Sequence, residues 1–390
     1  MVPERKIQIH AISLYSFNNE REQILAGCQV SVTYIFIVRE RKHAMKGLRK
    51  VLTPFAPDQS GAVSVLYALG GAVIIVDAGG CTGNICGFDE PRFETQAAAV
   101  FSAGLRDMDA ILGRDQLLVD KAVEIAESLH PKFVALVGTP VPAVIGTDLK
   151  SLCRLIEKKS GVPAFAVATN GFKLYDAGCE QAFWTLLKKF CTDRSQTSRK
   201  GIGLLGATPF DCDLDALDAF LEAHPTCTAY GWPQNEGLDT FADGASAERN
   251  VVVAPDGLKA AKWLNQHFDV PYKLYDPMAA RFAESVPDVS GKRILAVHQQ
   301  VAVDSARQVW LARGAASVTG ATWFMSLKEL AQPGDLKLKE EDDFERAAAE
   351  GGYDIIAADP TLKPLAKRFA GQWIDWPHFA ISGKRLNPHE

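Results

Sequence analysis

Cysteine is scarce in this chain: eight in 390 residues, too few and too scattered for a disulfide scaffold. Neither charge dominates, with 42 lysines and arginines against 47 acids and a net charge of −5. Nothing electrostatic therefore points to nucleic acid as a partner. The P-loop pattern G-x-x-x-x-G-K-[ST] is missing, as are H-E-x-x-H and G-x-S-x-G. Those absences argue against ATP hydrolysis by the chain itself and against zinc-protease or hydrolase-elbow chemistry. Long hydrophobic runs are lacking too. Met1 to Phe17 alternates (Ile7, Ile9, Ala11, then Ile12 and Leu14) without the continuous apolar core of a signal peptide, which predicts a strand. Gln59 to Val76 carries no charge, but Gly70-Gly71 interrupts it and the β-branched Val73-Ile74-Ile75-Val76 follows. That pattern predicts a buried helix, a turn and a buried strand rather than a membrane span. The expectation is a cytoplasmic protein with reduced thiols and no membrane contact.

What is present is an ordinary globular composition, 47% hydrophobic and 23% charged, on a length that suits two or three domains. From Phe133 onward, β-rich runs alternate with helical patterns. Strands are predicted at Phe133–Val137, Ala164–Ala168, Ile202–Leu205, Thr226–Tyr230, Val251–Val253, Arg293–His298 and Tyr353–Ala357. Helices are predicted from Asp148, around Ala182–Phe190, around Leu258–His267 and over Val303–Ala312. Such alternation means parallel sheets wound by right-handed crossovers, an α/β fold. Polar breaks at Thr192–Lys200 and Pro287–Lys292 divide it into three α/β units: 1–195, 196–288 and 289–390. Ligands of such folds bind at strand carboxyl ends and in clefts between units.

Gly201-Ile202-Gly203-Leu204-Leu205-Gly206 matches G-x-G-x-x-G, yet no strand precedes it and its glycines fall within a strand, so it is not read as a dinucleotide site. Cys81 and Cys86 are more informative. They lie in a glycine-rich loop, Asp77 to Gly87, directly after Val73–Val76. Thiolates there sit at a strand's carboxyl end, and soft sulfur ligands suit iron–sulfur clusters or zinc. Two cysteines make half of a four-thiolate site, to be completed by a distant cysteine, a second copy of the chain or another partner. The alternative is that both are small residues packing a tight turn. Cys28, Cys153, Cys179, Cys191, Cys212 and Cys227 are read as core. Asn170-Gly171-Phe172 follows the Ala164–Ala168 strand, either as a turn with Gly171 at positive φ or as part of a ligand site. His378, among Trp373, Trp376 and Phe379, is either a proton donor near neutral pH or a packing residue. The basic run Arg39–Lys50 is read as a solvated helix face.

Four segments resemble the component 1 family of nitrogenase-like oxidoreductases, which includes nitrogenase itself, protochlorophyllide reductases and related tetrapyrrole enzymes, and cofactor-assembly scaffolds. They are Gly61-Ala62 with Leu66 and Leu69 leading into Gly80-Cys81; Leu105–Arg114 with Leu117; Thr139–Pro142 with Ile145–Asp148; and Asn170-Gly171-Phe172 with Gly178. The resemblance implies three Rossmann-like parallel-sheet domains around a central cleft. It also implies a two-fold or pseudo-two-fold dimer with itself or a paralogous subunit, and electrons delivered by an ATP-dependent, P-loop iron–sulfur reductase. On that resemblance, Asn170, Gly171 and Phe172 line a substrate cavity, with a tetrapyrrole the leading substrate and His378 the proton donor. Departures matter as much. The family's first cluster cysteine falls among Pro57, Asp58, Gln59 and Ser60, and its third at about Pro140; Cys81 alone survives, Cys86 is an addition, and Asp77 replaces a common histidine. The cysteine that holds the nitrogenase metal cofactor falls near Ala254. The resemblance therefore implies a [4Fe–4S] cluster shared by Cys81 and Cys86 of two chains, not dinitrogen reduction. A non-catalytic scaffold or carrier in cluster or metallocofactor assembly is the alternative, and a cluster-free binding protein a third.

Overall fold

The computed structural model describes residues 49–384, apart from 107, 110–112, 114, 193–200 and 233–236. The described residues belong to one compact unit. The predicted opening strand, Cys28 and nearly all of the Arg39–Lys50 run lie outside the described residues.

The described strands form three sheets in which every pairing is parallel. Sheet 1 contains β1 (Ala72–Val76), β2 (Ala99–Ser102), β3 (Val134–Gly138) and β4 (Ala164–Val167), in the order β2-β1-β3-β4. Sheet 2 contains β5 (Ile202–Leu205), β6 (Cys227–Ala229), β7 (Arg249–Val252) and β8 (Tyr272–Leu274), in the order β6-β5-β7-β8. Sheet 3 contains β9 (Arg293–Val297), β10 (Ser317–Thr322), β11 (Leu336–Lys337), β12 (Ile355–Ala358) and β13 (Gln372–Asp375), in the order β11-β10-β9-β12-β13. β1 and β3 are buried at every position, as strands covered by helices on both faces must be. In each sheet the winding reverses once, between β1 and β3, β5 and β7, and β9 and β12. Such a reversal leaves a crevice at the strands' carboxyl ends, where ligands of open parallel sheets bind.

The charge-free stretch folds as its pattern predicts. Asp58–Leu66 is a helix buried along its whole length, Gly70 turns at φ +75°, and β1 follows. Among the described residues no helix is long and apolar enough to cross a membrane. Asp148 starts its helix as predicted, accepting a hydrogen bond from the Ser151 N–H. Two helices begin earlier than their apolar periodicity indicates: Tyr175–Phe190 rather than from Ala182, and Gln300–Ala312 rather than from Val303. The added first turn of the former carries Tyr175, Asp176 and Gly178, whose partners lie elsewhere in the fold, so no regular apolar stripe marks it. Gly201-x-Gly203 runs into and along β5, as expected of a strand rather than a phosphate loop.

The Asp58–Leu66 and Tyr175–Phe190 helices approach each other closely through two glycines. A Cβ on Gly178 would stand 1.7 Å from the Asp58 carbonyl oxygen, and one on Gly61 would stand 2.0 Å from the Tyr175 carbonyl oxygen. Backbone cannot yield as a side chain can. Gly178→Ala is therefore expected to cost about 3 kcal/mol in urea unfolding, the upper end for overpacking, whereas Gly83→Ala, with open space at its Cβ, should cost far less.

A second expectation concerns pH. The buried Asp276 caps the Pro277–Ser285 helix, its Oδ1 accepting from the Met278 and Ala279 N–H groups. Burial outweighs those bonds and pushes its carboxyl up to about 7. The native state then holds a proton that the unfolded chain releases near its ordinary carboxylate pKa. This contribution is complete at low pH and is lost as pH rises through about 7. Asp276→Asn keeps the cap without the titration. Urea unfolding should show wild type losing stability relative to the variant as pH rises from 5 to about 7, by about 1.4 kcal/mol per pH unit, and the difference levelling off above that; parallel profiles would contradict this.

Candidate functional site

The crevice of sheet 1 is built by the segments that follow β1 and β3. After β1 the chain reaches Asp77, turns at Gly79 (φ +109°), and enters a short helix, Gly80–Asn84, that continues as a wider π turn over Ile85–Asp89. Asp77 is buried and organises this loop: its Oδ2 accepts the Thr82 N–H (2.8 Å) and its Oδ1 accepts the hydroxyl of Ser102 at the end of β2 (2.6 Å). Cys81 and Cys86 are half-buried free thiols on this loop. Burial first, then the neighbouring carboxylates (Asp77 for Cys81, Glu90 and Asp77 for Cys86), push both thiols above the ordinary range. The loop is anchored from below. Ser60 and Asn84 both donate to Asp89 Oδ2 at 2.7 Å, and the buried Arg92 grips Glu90 with Nε and Nη2, each 2.7 Å from a carboxylate oxygen, while also donating to the Ser64 carbonyl.

Asn170, Gly171 and Phe172 stand just after β4, at the same end of the sheet. Gly171 has φ +78°, as a turn requires. The Asn170 and Gly171 N–H groups donate to the buried Asp58 carboxylate, and Asn170 Oδ1 accepts the Phe172 N–H. The Phe172 ring faces outward, 71% exposed. Here the two positions that the resemblance assigns to missing cluster cysteines come together: a Cβ on Gly171 would meet Pro140 Cγ at 2.4 Å and Gln59 Oε1 at 3.3 Å. Both places are filled by packed side chains. Among the described residues no group of three or more His, Cys, Asp or Glu side chains is arranged to hold a metal ion. The cysteine loop of one chain thus fits a [4Fe–4S] cluster only as a half-site of two thiols. Of the cysteines assigned to the core, Cys153, Cys179, Cys212 and Cys227 are buried and Cys191 is half-buried.

The crevices of sheets 2 and 3 meet in the interior. Asp211, beyond β5, uses one oxygen twice: Oδ1 accepts the Tyr175 hydroxyl at 2.6 Å and lies 3.1 Å from His378 Nε2, beyond β13. Residues from the chain segments of all three sheets therefore converge on a single oxygen atom. The His378 ring stacks on His298, which follows β9, with centroids 3.8 Å apart. Asp359, after β12, fixes the His378 backbone by accepting its N–H, and Gln299 Nε2 donates to the Val253 carbonyl after β7. Asp256 is wholly buried with the Cys179 thiol beside its carboxyl. Burial governs every titration here. It pushes Asp211 up to about 7 and Asp256 well up, pulls His378 down to about 3, and takes His298 well below the ordinary imidazole value. Burial thus disfavours the imidazolium form of His378. The Nδ1 atoms of both histidines have no hydrogen-bond partner. Sequence reasoning singled out His378 alone from this cluster; Tyr175, Asp211, Asp256 and His298 were missed. The available signal was position, since Asp211, Asp256 and His298 each follow a strand at a carboxyl end.

Comparison with known proteins places these features in a lineage. The family model for nitrogenase component 1 type oxidoreductases matches residues 58–283. The nitrogenase iron-molybdenum cofactor biosynthesis protein NifE of Methanosarcina barkeri is 24% identical over 231 residues, 55% of this chain and 50% of that one. NifE of Clostridium pasteurianum is 25% identical over 174 residues, 44% of this chain and 38% of that one. The nitrogenase molybdenum-iron protein alpha chain of Methanothermococcus thermolithotrophicus is 23% identical over 190 residues, 44% of this chain and 39% of that one. The chain thus spans half or less of the length of these curated relatives. A solved structure of nitrogenase Cp1 at pH 6.5 superposes with TM-score 0.67 at 12% identity, covering 88% of this chain and 89% of that one, a likeness of fold. With the family model spanning more than half its length, the chain belongs to the nitrogenase component 1 type oxidoreductases.

Proposed function

We propose that this chain is a non-catalytic scaffold or carrier of the component 1 family, holding an iron–sulfur cluster or metallocofactor during assembly. The observation that carries this reading is two thiols on an organised loop, with the positions that the resemblance gives the other family cysteines filled by Pro57–Ser60 and Pro140. Two ligands per chain call for a second chain. Around the loop, at the same end of sheet 1, stand large apolar side chains exposed to solvent: Phe88 (72%), Val144 (76%) and Phe172 (71%). A second copy, or a paralogous component 1 subunit, would cover them and bring a second pair of thiols, completing a four-thiolate [4Fe–4S] site from Cys81 and Cys86 of each chain. A labile shared site suits cargo that must leave. The curated relatives named for cofactor biosynthesis support the same reading.

The competing reading is a reductase that takes electrons from an ATP-dependent, P-loop iron–sulfur protein and passes them to a tetrapyrrole. It needs roomy substrate space at the junction, with Asn170, Gly171 and Phe172 lining it and His378 supplying a proton. The junction is instead packed: Tyr175 stacks on Phe210 at 4.5 Å, and Phe324 meets both Tyr175 and His378 edge-on. The cavity beside it holds about 300 Å³, at the low end for small-molecule sites.

Anaerobic reconstitution with iron and sulfide tests the proposal. Wild type should bind half a cluster per chain, show thiolate-to-iron charge-transfer absorbance and sediment as a dimer. Cys81→Ala/Cys86→Ala should lose the iron, and Val144→Asp should weaken the dimer. Iron should pass to an apo acceptor protein, with no tetrapyrrole turnover when a P-loop reductase and ATP are supplied. Full iron content in the double variant would remove the ligand assignment, and turnover would install the reductase in its place.

A further inference from the structure

Between the cysteine loop and the junction lies a cavity of about 300 Å³. Its rim carries Phe55, Asn84, Phe88 and Asp89, and its inner wall is formed by Phe210 and Phe379, whose ring centroids are 5.7 Å apart. Directly behind that wall Phe210 stacks on Tyr175, and Phe324 closes over Tyr175 and His378. The two wall residues are sequence neighbours of the two residues that bond across the junction. Phe210 precedes Asp211 and Phe379 follows His378, with the Ala380 N–H donating to the Phe210 carbonyl. The Phe379–Ser382 turn stands between Pro377 and Gly383, the latter at φ +61° and itself on the cavity wall. It is a single helical turn with a stiff residue before it and a permissive one after it.

We propose that this cavity is the mouth of a path to the junction, that Phe210 and Phe379 are its gate, and that the Tyr175–Asp211–His378 hydrogen bonds are the latch holding the gate shut. Releasing the latch leaves the single Ala380 N–H to Phe210 carbonyl bond between the segments carrying Phe210 and Phe379, and the two rings can then swing apart about it. What waits behind the wall sets the class of ligand. Asp211 and Asp256, the unpartnered Nδ1 atoms of His298 and His378, and the unpartnered Thr208 hydroxyl are mostly acceptors. Lys337, beside Asp176 on the far side, is turned onto the Trp323 and Phe324 carbonyls. The path therefore admits small ligands that carry positive charge or hydrogen-bond donors, and this holds whether or not Cys81 and Cys86 bind a cluster.

Cys179 provides the readout. It is wholly buried beside Asp256, behind the wall, whereas Cys153 is buried on the other face of sheet 1. The probe is methyl methanethiosulfonate, small and uncharged, with modification of each cysteine followed by mass spectrometry. In wild type Cys179 should react faster than Cys153 despite its deeper burial, and a bulky maleimide should abolish that difference. Phe379→Ala widens the mouth and Tyr175→Phe removes one latch donor at almost constant volume. Each should speed modification of Cys179 at least tenfold and leave Cys153 unchanged. Equal rates at the two cysteines in wild type, or acceleration of both together in the variants, would mean that the reagent enters by general unfolding and would overturn the gate.

Discussion

The close approach of two helices at Gly61 and Gly178 is the constraint on which the rest of the molecule depends. With those Cβ atoms absent, Asp58–Leu66 and Tyr175–Phe190 meet backbone to backbone, and each delivers polar groups that a wider spacing would misplace. The first helix sends Asp58 to the Asn170–Gly171 turn, Ser60 to Asp89 in the cysteine loop, and the Ser64 carbonyl to Arg92. The second sends Tyr175 to Asp211 and Asp176 to the Met325 N–H. One contact thus sets both the thiol loop and the junction. It also gives a physical reason for two glycines in the segments that resemble the family.

The junction illustrates how buried carboxyl groups coexist without cations. Three aspartates, Asp211, Asp256 and Asp276, lie deep in the protein and influence one another, and each is driven toward its neutral form by burial. An ionised carboxylate in such surroundings would cost several kcal/mol. The imidazoles of His298 and His378 are kept neutral by the same cause acting in the opposite direction. The result is a cluster rich in acceptors yet carrying little charge, closed by aromatic rings. Such an interior tolerates a donor-rich or cationic guest far better than an anion.

Much of this was legible in the sequence because its causes are local. Strand and helix alternation, the Gly70-Gly71 turn, the Asp148 cap and the burial of Cys153, Cys179, Cys212 and Cys227 follow from periodicity, φ preferences and side-chain polarity within a few residues. The first turn of Tyr175–Phe190 was not legible, since Tyr175 and Gly178 answer to partners 36 and more residues away rather than to helical spacing. For the same reason Asp211 and His378, 167 residues apart, could not be paired in advance. Only the rule that parallel strands present their functional residues at carboxyl ends could have drawn attention to Asp211, Asp256 and His298. The same rule, reinforced by the glycines around it, drew attention to Cys81.

The positions that the resemblance assigns to the family's other cysteines are built into the packing of this fold. At the first vacant cysteine position, Asp58 holds two backbone N–H groups of the Asn170–Gly171 turn and Ser60 holds Asp89. Replacing either with cysteine would leave strong donors or acceptors without partners in a buried setting, which costs about 1–3 kcal/mol for each group. At the third, Pro140 begins the short helix after β3 and packs on Gly171, where a Cβ would stand 2.4 Å from the proline Cγ. A thiol installed there would have to displace the turn that Asp58 secures. These polar contacts instead support the loop bearing Cys81 and Cys86.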